Sequence, residues 1–159
     1  MAVRDELYAV LVSLSSDTLL LPNAAVAEVV SGDALQPPGP GLPPWVAGRV
    51  TYNNRELVVL RFEVLNGGAG AEDSRRTRLA VLQPVTTSLR TGQYAIVCQG
   101  YPHLVTLNRA ALKKEALVSG DNEDIVLTRV SIANTNALIP NLEKIEQLLA
   151  QFEAAPDIA

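Results

Sequence analysis

One cysteine and one histidine are the only soft metal ligand and imidazole base in this 159-residue chain. Cys98 ends the apolar run Tyr94-Ala95-Ile96-Val97 and reads as a small buried hydrophobe, because a reactive thiolate needs an electropositive, accessible setting. His103 follows Tyr101-Pro102 at the edge of a second apolar run, with no neighbouring acid or nucleophile to make it half of a catalytic pair. Cysteine or histidine metal clusters and internal disulfides are ruled out by count alone. Glu143 and Glu146, on either side of Lys144, read as a solvated helix face rather than an acid–base pair. Gly67-Gly68-Ala69-Gly70 runs into alternating charge and no helix, so it reads as a linker and not as a phosphate cradle. Arg75, Arg76 and Arg78 beside Glu72 and Asp73 read as a solvated loop. Dinucleotide fingerprint, phosphate loop and nucleophile elbow are all missing from the sequence. The expectation is a protein that is no enzyme and uses neither metal nor cofactor.

Composition narrows the remaining classes. A net charge of −4 argues against a nucleic-acid binder, which needs a basic face to displace counterions. The start, Met1-Ala2-Val3-Arg4-Asp5-Glu6, lacks the basic head and apolar stretch of a secretion signal. Apolar runs fall far short of the roughly 20 residues of a membrane span, so a cytoplasmic protein without membrane insertion is expected.

The elements that would position an interaction surface are mostly short strands. Leu7 to Leu14 and Thr18 to Leu21 read as a hairpin about Ser15-Ser16-Asp17. Asn23 is placed to cap a helical turn over Ala24 to Glu28 that runs into Val29-Val30. Ser31 to Pro44 carries five prolines and three glycines and reads as an extended loop. Asn53-Asn54 tolerates the positive φ of a tight turn, which pairs Val50 to Tyr52 with Glu56 to Leu60. Asn66 to Arg78 is small and charged: a mobile loop and the expected seam between two halves. Strands follow over Leu79 to Leu82, Tyr94 to Cys98, Leu104 to Leu107, Ile125 to Ile132 and at Leu138-Ile139, with a short helical piece over Arg109 to Glu115. Leu142, Ile145, Leu148, Leu149 and Phe152 recur three to four apart, a terminal amphipathic helix capped by Asn141. This is an all-β pattern with one C-terminal α-helix.

Four segments in this order resemble the CheW-like family. They are Val26-Ala27-Glu28-Val29, Leu42-Pro43-Pro44-Trp45-Val46-Ala47-Gly48, Tyr52-Asn53-Asn54 with the strand after it, and Leu138-Ile139-Pro140-Asn141-Leu142. The likeness runs from Leu7 to about Leu149. Asn53-Asn54 stands where the family usually has Arg-Gly, so contacts made through that arginine are changed here.

The resemblance implies two SH3-like five-stranded β-barrels within a single domain, 7–152, with the crossing near 66–78. It further implies a non-catalytic adaptor that holds the cytoplasmic hairpin of a methyl-accepting chemoreceptor against a CheA-type histidine kinase. Carried over by position, Val26 and Val29 approach the groove between the barrels, beside Glu28. Gly48 allows close packing at its wall next to Trp45 and Val46, and Asn53 and Asn54 form the altered turn. Trp45 also reads as an anchor seating the proline-rich loop. The short chain and the Ile-Pro-Asn-Leu-Glu ending look closest to ChpC-type or PilI-type adaptors of type IV pilus and twitching-motility systems. The alternative is a stand-alone SH3-like interaction module outside chemotaxis.

Overall fold

Strands that are apolar at nearly every position must bury both faces, and here they do. The computed structural model describes residues 6–68, 75–108, 112–132 and 134–153. Strands β1 (Glu6–Ser13) and β2 (Thr18–Pro22) form the first hairpin. They are followed by β3 (Val26–Ser31), β4 (Val46–Tyr52), β5 (Arg55–Leu60), a one-turn helix α1 (Phe62–Leu65), β6 (Thr77–Leu82) and β7 (Tyr94–Gln99). The chain ends with β8 (His103–Asn108), β9 (Leu112–Glu115), β10 (Val126–Ile132), β11 (Thr135–Pro140) and helix α2 (Leu142–Leu149), extended by a 3-10 turn over Ala150–Phe152. Two sheets result, in the orders β3-β6-β7-β5-β4 and β8-β1-β2-β11-β10-β9.

Both sheets curl. A flat six-stranded sheet would set its edge strands about 24 Å apart. Yet its edges, β8 and β9, are consecutive in the chain, and the step from Asn108 to Leu112 spans at most about 14 Å. With β8 and β9 counted as one run, this is a five-stranded barrel. The other sheet closes through a bridge between Gln36, beyond edge strand β3, and Arg49 on edge strand β4.

Side-chain alternation assigns each strand to two cores at once. Leu57, Val59, Leu79, Val81, Ala95 and Val97 fill the five-stranded barrel. Ala9, Leu20, Leu107, Val130 and Ala137 fill the other. Their strand neighbours Val58, Leu60, Ala80, Leu82, Tyr94, Ile96, Cys98, Val10, Val12, Leu19 and Leu21 turn the opposite way and form a third core between the barrels. Ile145 and Leu149 of α2 pack into that shared core, as the helical spacing predicts. Asn141 caps α2 by accepting from the Lys144 amide at 3.2 Å.

Several expectations need correction. The 66–78 segment joins α1 to β6 inside one sheet and is no seam; the chain changes sheets between β2 and β3 and again between β7 and β8. One barrel is therefore inserted into the other. Asn66 is anchored through its side chain to Asp121 and the Asn122 amide, while residues 69–74 lie outside the described residues. The helical turn after Pro22 is a single 3-10 turn over Asn23–Ala25 with Pro22, not Asn23, at the cap position. Val26 to Val30 are strand, because β-branched side chains pair well along β6. Leu112 to Glu115 is strand rather than helix, held by β10, and 109–111 lie outside the described residues. The loop over Ser31 to Pro44 holds a 3-10 turn at Gly32–Ala34 as well as the Gln36 bridge.

Candidate interaction surface

The residues picked out by sequence fall into three separate places. Val26 and Val29 lie opposite Leu82 and Ala80 of β6, so both project from the face directed at the shared core, and both are only half-buried. On the other barrel, Tyr8 and Leu104 share a face with Val10, which is part of the shared core, yet they are 57% and 64% exposed. On each barrel, apolar side chains thus emerge from a core-directed face, and we treat these two borders as one candidate seam. Nothing in the local sequence of Tyr8 or Leu104 marks them; the signal is the register, which only the β1–β8 pairing supplies.

Glu28 lies on the opposite face of β3, across from Val81 of the barrel interior, and is exposed. Its carboxylate accepts a hydrogen bond from the Tyr52 hydroxyl and so holds that phenol protonated to higher pH than usual. Tyr52 adjoins Asn53 and Asn54, whose φ of 49° and 64° make the mirror-image turn that matches strand twist. Glu28, Asn53 and Asn54 therefore mark one end of the five-stranded barrel. Arg55, next along, donates from Nη1 to the Thr91 carbonyl at 2.8 Å and tethers the turn to the 91 loop.

Trp45, Val46 and Gly48 serve the fold. Trp45 meets Phe152 edge-on, with ring centroids 5.3 Å apart and planes at 86°, and packs on the shared core. The anchor expectation fits this geometry. Val46 is buried in the same core. A Cβ on Gly48 would lie 1.8 Å from the Gln36 carbonyl oxygen, at a φ of +145°. This glycine permits barrel closure; it does not line the seam.

Three glutamates fix the barrels and the terminal helix, each by the same device: a carboxylate accepting two successive amides and a hydroxyl. Glu63 of α1 holds Ser15 and Ser16 of the β1–β2 turn, both amides at 2.9 Å and the Ser16 hydroxyl at 2.6 Å. Glu146 holds the Val85 and Thr86 amides at 2.8 and 2.9 Å and the Thr86 hydroxyl at 2.6 Å. Glu153 holds Arg90 and Thr91 at 2.8 and 3.0 Å and the Thr91 hydroxyl at 3.1 Å. Glu146 is wholly buried, which corrects its reading as part of a solvated face. Burial, and then the charge of Glu146, push the Tyr94 phenol far above its ordinary range. A fourth fastening is Arg129, which forks to Asp121 at 2.7 Å and to Asp17 at 2.8 and 3.0 Å. Those bonds from Arg129 hold the Asp121 carboxyl well below the usual carboxylate range.

Burial raises the Cys98 thiol to about 11, so it is the inert hydrophobe expected. His103 is exposed at the start of β8. Among the described residues no group of three or more His, Cys, Asp or Glu side chains is placed to hold a metal ion. Arg78 departs from its reading as loop: it belongs to β6 and points along the face that carries Ala80.

Two small barrels share one core, and apolar side chains emerge from its border on both. The CheW-like domain model matches residues 9–149, and the chain belongs to that family. Among solved structures, the scaffolding protein TtCheW from Thermoanaerobacter tengcongensis is similar, with a TM-score of 0.68 and 14% identity. That match covers 86% of this chain and 89% of the other. No curated protein matches the sequence.

Proposed function

We propose that this chain is a non-catalytic adaptor of chemotaxis-type signal transduction, coupling a methyl-accepting chemoreceptor to a CheA-type histidine kinase. The observation that carries this reading is the seam, where half-buried Val26 and Val29 on one barrel and exposed Tyr8 and Leu104 on the other lie on core-directed faces. Such a surface suits the apolar stripe of a helix, and the receptor's cytoplasmic hairpin supplies one. The barrel end with Glu28, Asn53 and Asn54 is the proposed kinase contact, and its lack of the family's arginine adapts it to a different partner surface. Output is positional: partners are held in register and no bond is made or broken.

No described helix is long and apolar enough to cross a membrane. The adaptor reading places the protein in the cytoplasm, where receptor hairpins and kinase meet. The likeness of its ending to ChpC-type and PilI-type adaptors supports a place in a type IV pilus system controlling twitching motility. The test is Val29→Asp, which puts a charge on the half-buried seam at a strand edge while leaving both barrel interiors intact. Receptor and kinase fragments should pull down with the parent chain, and the folded variant should lose the receptor. Normal capture of both partners by a folded Val29→Asp chain would reject the seam as the docking site.

A further inference from the structure

The seam is apolar along Val26 and Val29 and turns cationic at one end. Arg78 lies two residues from Ala80 on β6 and opposite Ser31 on β3, so it shares the core-directed face with Val29. Its guanidinium is held in place: Nη1 donates to the Arg75 and Thr77 carbonyls at 2.8 and 2.9 Å, and the group lies 5.4 Å from the centre of the Tyr101 ring. Nε and Nη2 bond to nothing among the described residues. Arg78, Arg75, Tyr101, Ser31, Asp33 and Thr77 line an open hollow of about 330 Å³. Two arginines and one aspartate line it, so its described lining carries a net charge of +1 in a chain whose overall charge is −4. Tyr101, 65% exposed, adds apolar area beside that charge.

We infer that the helix docking in the seam carries a carboxylate side chain, which Arg78 receives with Arg75 and which fixes the register of the helix. This rests on the adaptor reading above and specifies its partner: an amphipathic helix with an acidic residue flanking its apolar stripe. A guanidinium already stacked and hydrogen-bonded loses little freedom on meeting a carboxylate, so it can act as a fixed reference point. The apolar seam supplies affinity, and the charge selects position and partner.

The experiment titrates a purified chemoreceptor cytoplasmic hairpin into the parent chain and its Arg78→Gln, Arg78→Lys, Arg75→Gln and Val29→Asp variants, at low and at high salt. Arg75→Gln lies outside the sheet, which guards against loss of fold in the Arg78 variants. Arg78→Gln should weaken binding about five-fold at low salt, with the difference shrinking at high salt. Arg78→Lys should keep the salt dependence, and Arg75→Gln should show a smaller loss of the same kind. Parent-like affinity and salt dependence in both glutamine variants would overturn the inference. If Val29→Asp alone abolishes binding in that series, the seam stands and only the carboxylate assignment fails. If Val29→Asp also binds normally, both fall.

Discussion

The Gln36 carbonyl oxygen accepts the Arg49 amide at 3.0 Å, and the Gln36 amide returns a bond to the Arg49 carbonyl at 2.7 Å. This one reciprocal pair closes the five-stranded barrel, and it is possible because residue 48 has no Cβ. Gly48→Ala should therefore destabilise the protein by about 2 kcal/mol or more, from the clash and the positive φ together. Urea unfolding of the two proteins checks this, and an unchanged midpoint would mean that the bridge shifts at no cost.

Removal of the Glu146 side chain takes the acceptor from two amides and two hydroxyls, those of Thr86 and Tyr94, at a buried site. Glu146→Ala should cost about 3 kcal/mol, and Glu146→Gln less, since the amide oxygen still accepts. Glu143→Ala, on the exposed side of α2, should fall within about 0.5 kcal/mol of the parent. Equal losses at 143 and 146 would contradict the buried clamp.

Acid should loosen the Arg129 fastening. Asp121 has its carboxyl pKa depressed in the folded state, so its contribution is complete above the ordinary value of 3.8 and is lost as pH falls through the lower folded value. Unfolding midpoints of the parent should drop as pH is lowered below about 4, and Asp121→Asn should show a flatter profile from a lower starting stability. A parent profile as flat as that of Asp121→Asn would remove the linkage.

Trp45→Ala should act on stability rather than on docking. The indole is half-buried between Phe152 and the shared core, and its truncation should cost roughly 3 kcal/mol. At temperatures where the variant remains folded, receptor affinity should match the parent. A large loss of affinity in a stable variant would make Trp45 a contact residue after all.

What the sequence makes legible is the local chemistry. Asn53-Asn54 announces its turn because few other residue pairs accept two positive φ values, and Asn141 announces the start of α2 by its cap. Strands over 7–14 and 94–98 follow from their composition. Sheet membership does not, because pairing β1 with β8 is decided by contacts almost a hundred residues apart. The same distance hides the seam: Tyr8 and Leu104 become a surface only when the register sets them beside Val10. Glu146 misleads because its helical neighbours are charged, while the amides that bury it arrive from the 85–86 loop. Val26 to Val30 carried a usable signal in their branched side chains, and the nearby Asn23 masked it.

The nesting of one barrel inside the other sets an order for synthesis. Strands β3 to β7 can close as soon as they leave the ribosome, whereas the β1–β2 hairpin must wait for β8 and β11 before its second side is covered. Until residue 140 emerges, Val10, Val12 and Leu19 have only a finished neighbour to lean on. A ribosome stalled before that point would hold one mature barrel and one sticky hairpin, an arrangement suited to chaperone capture.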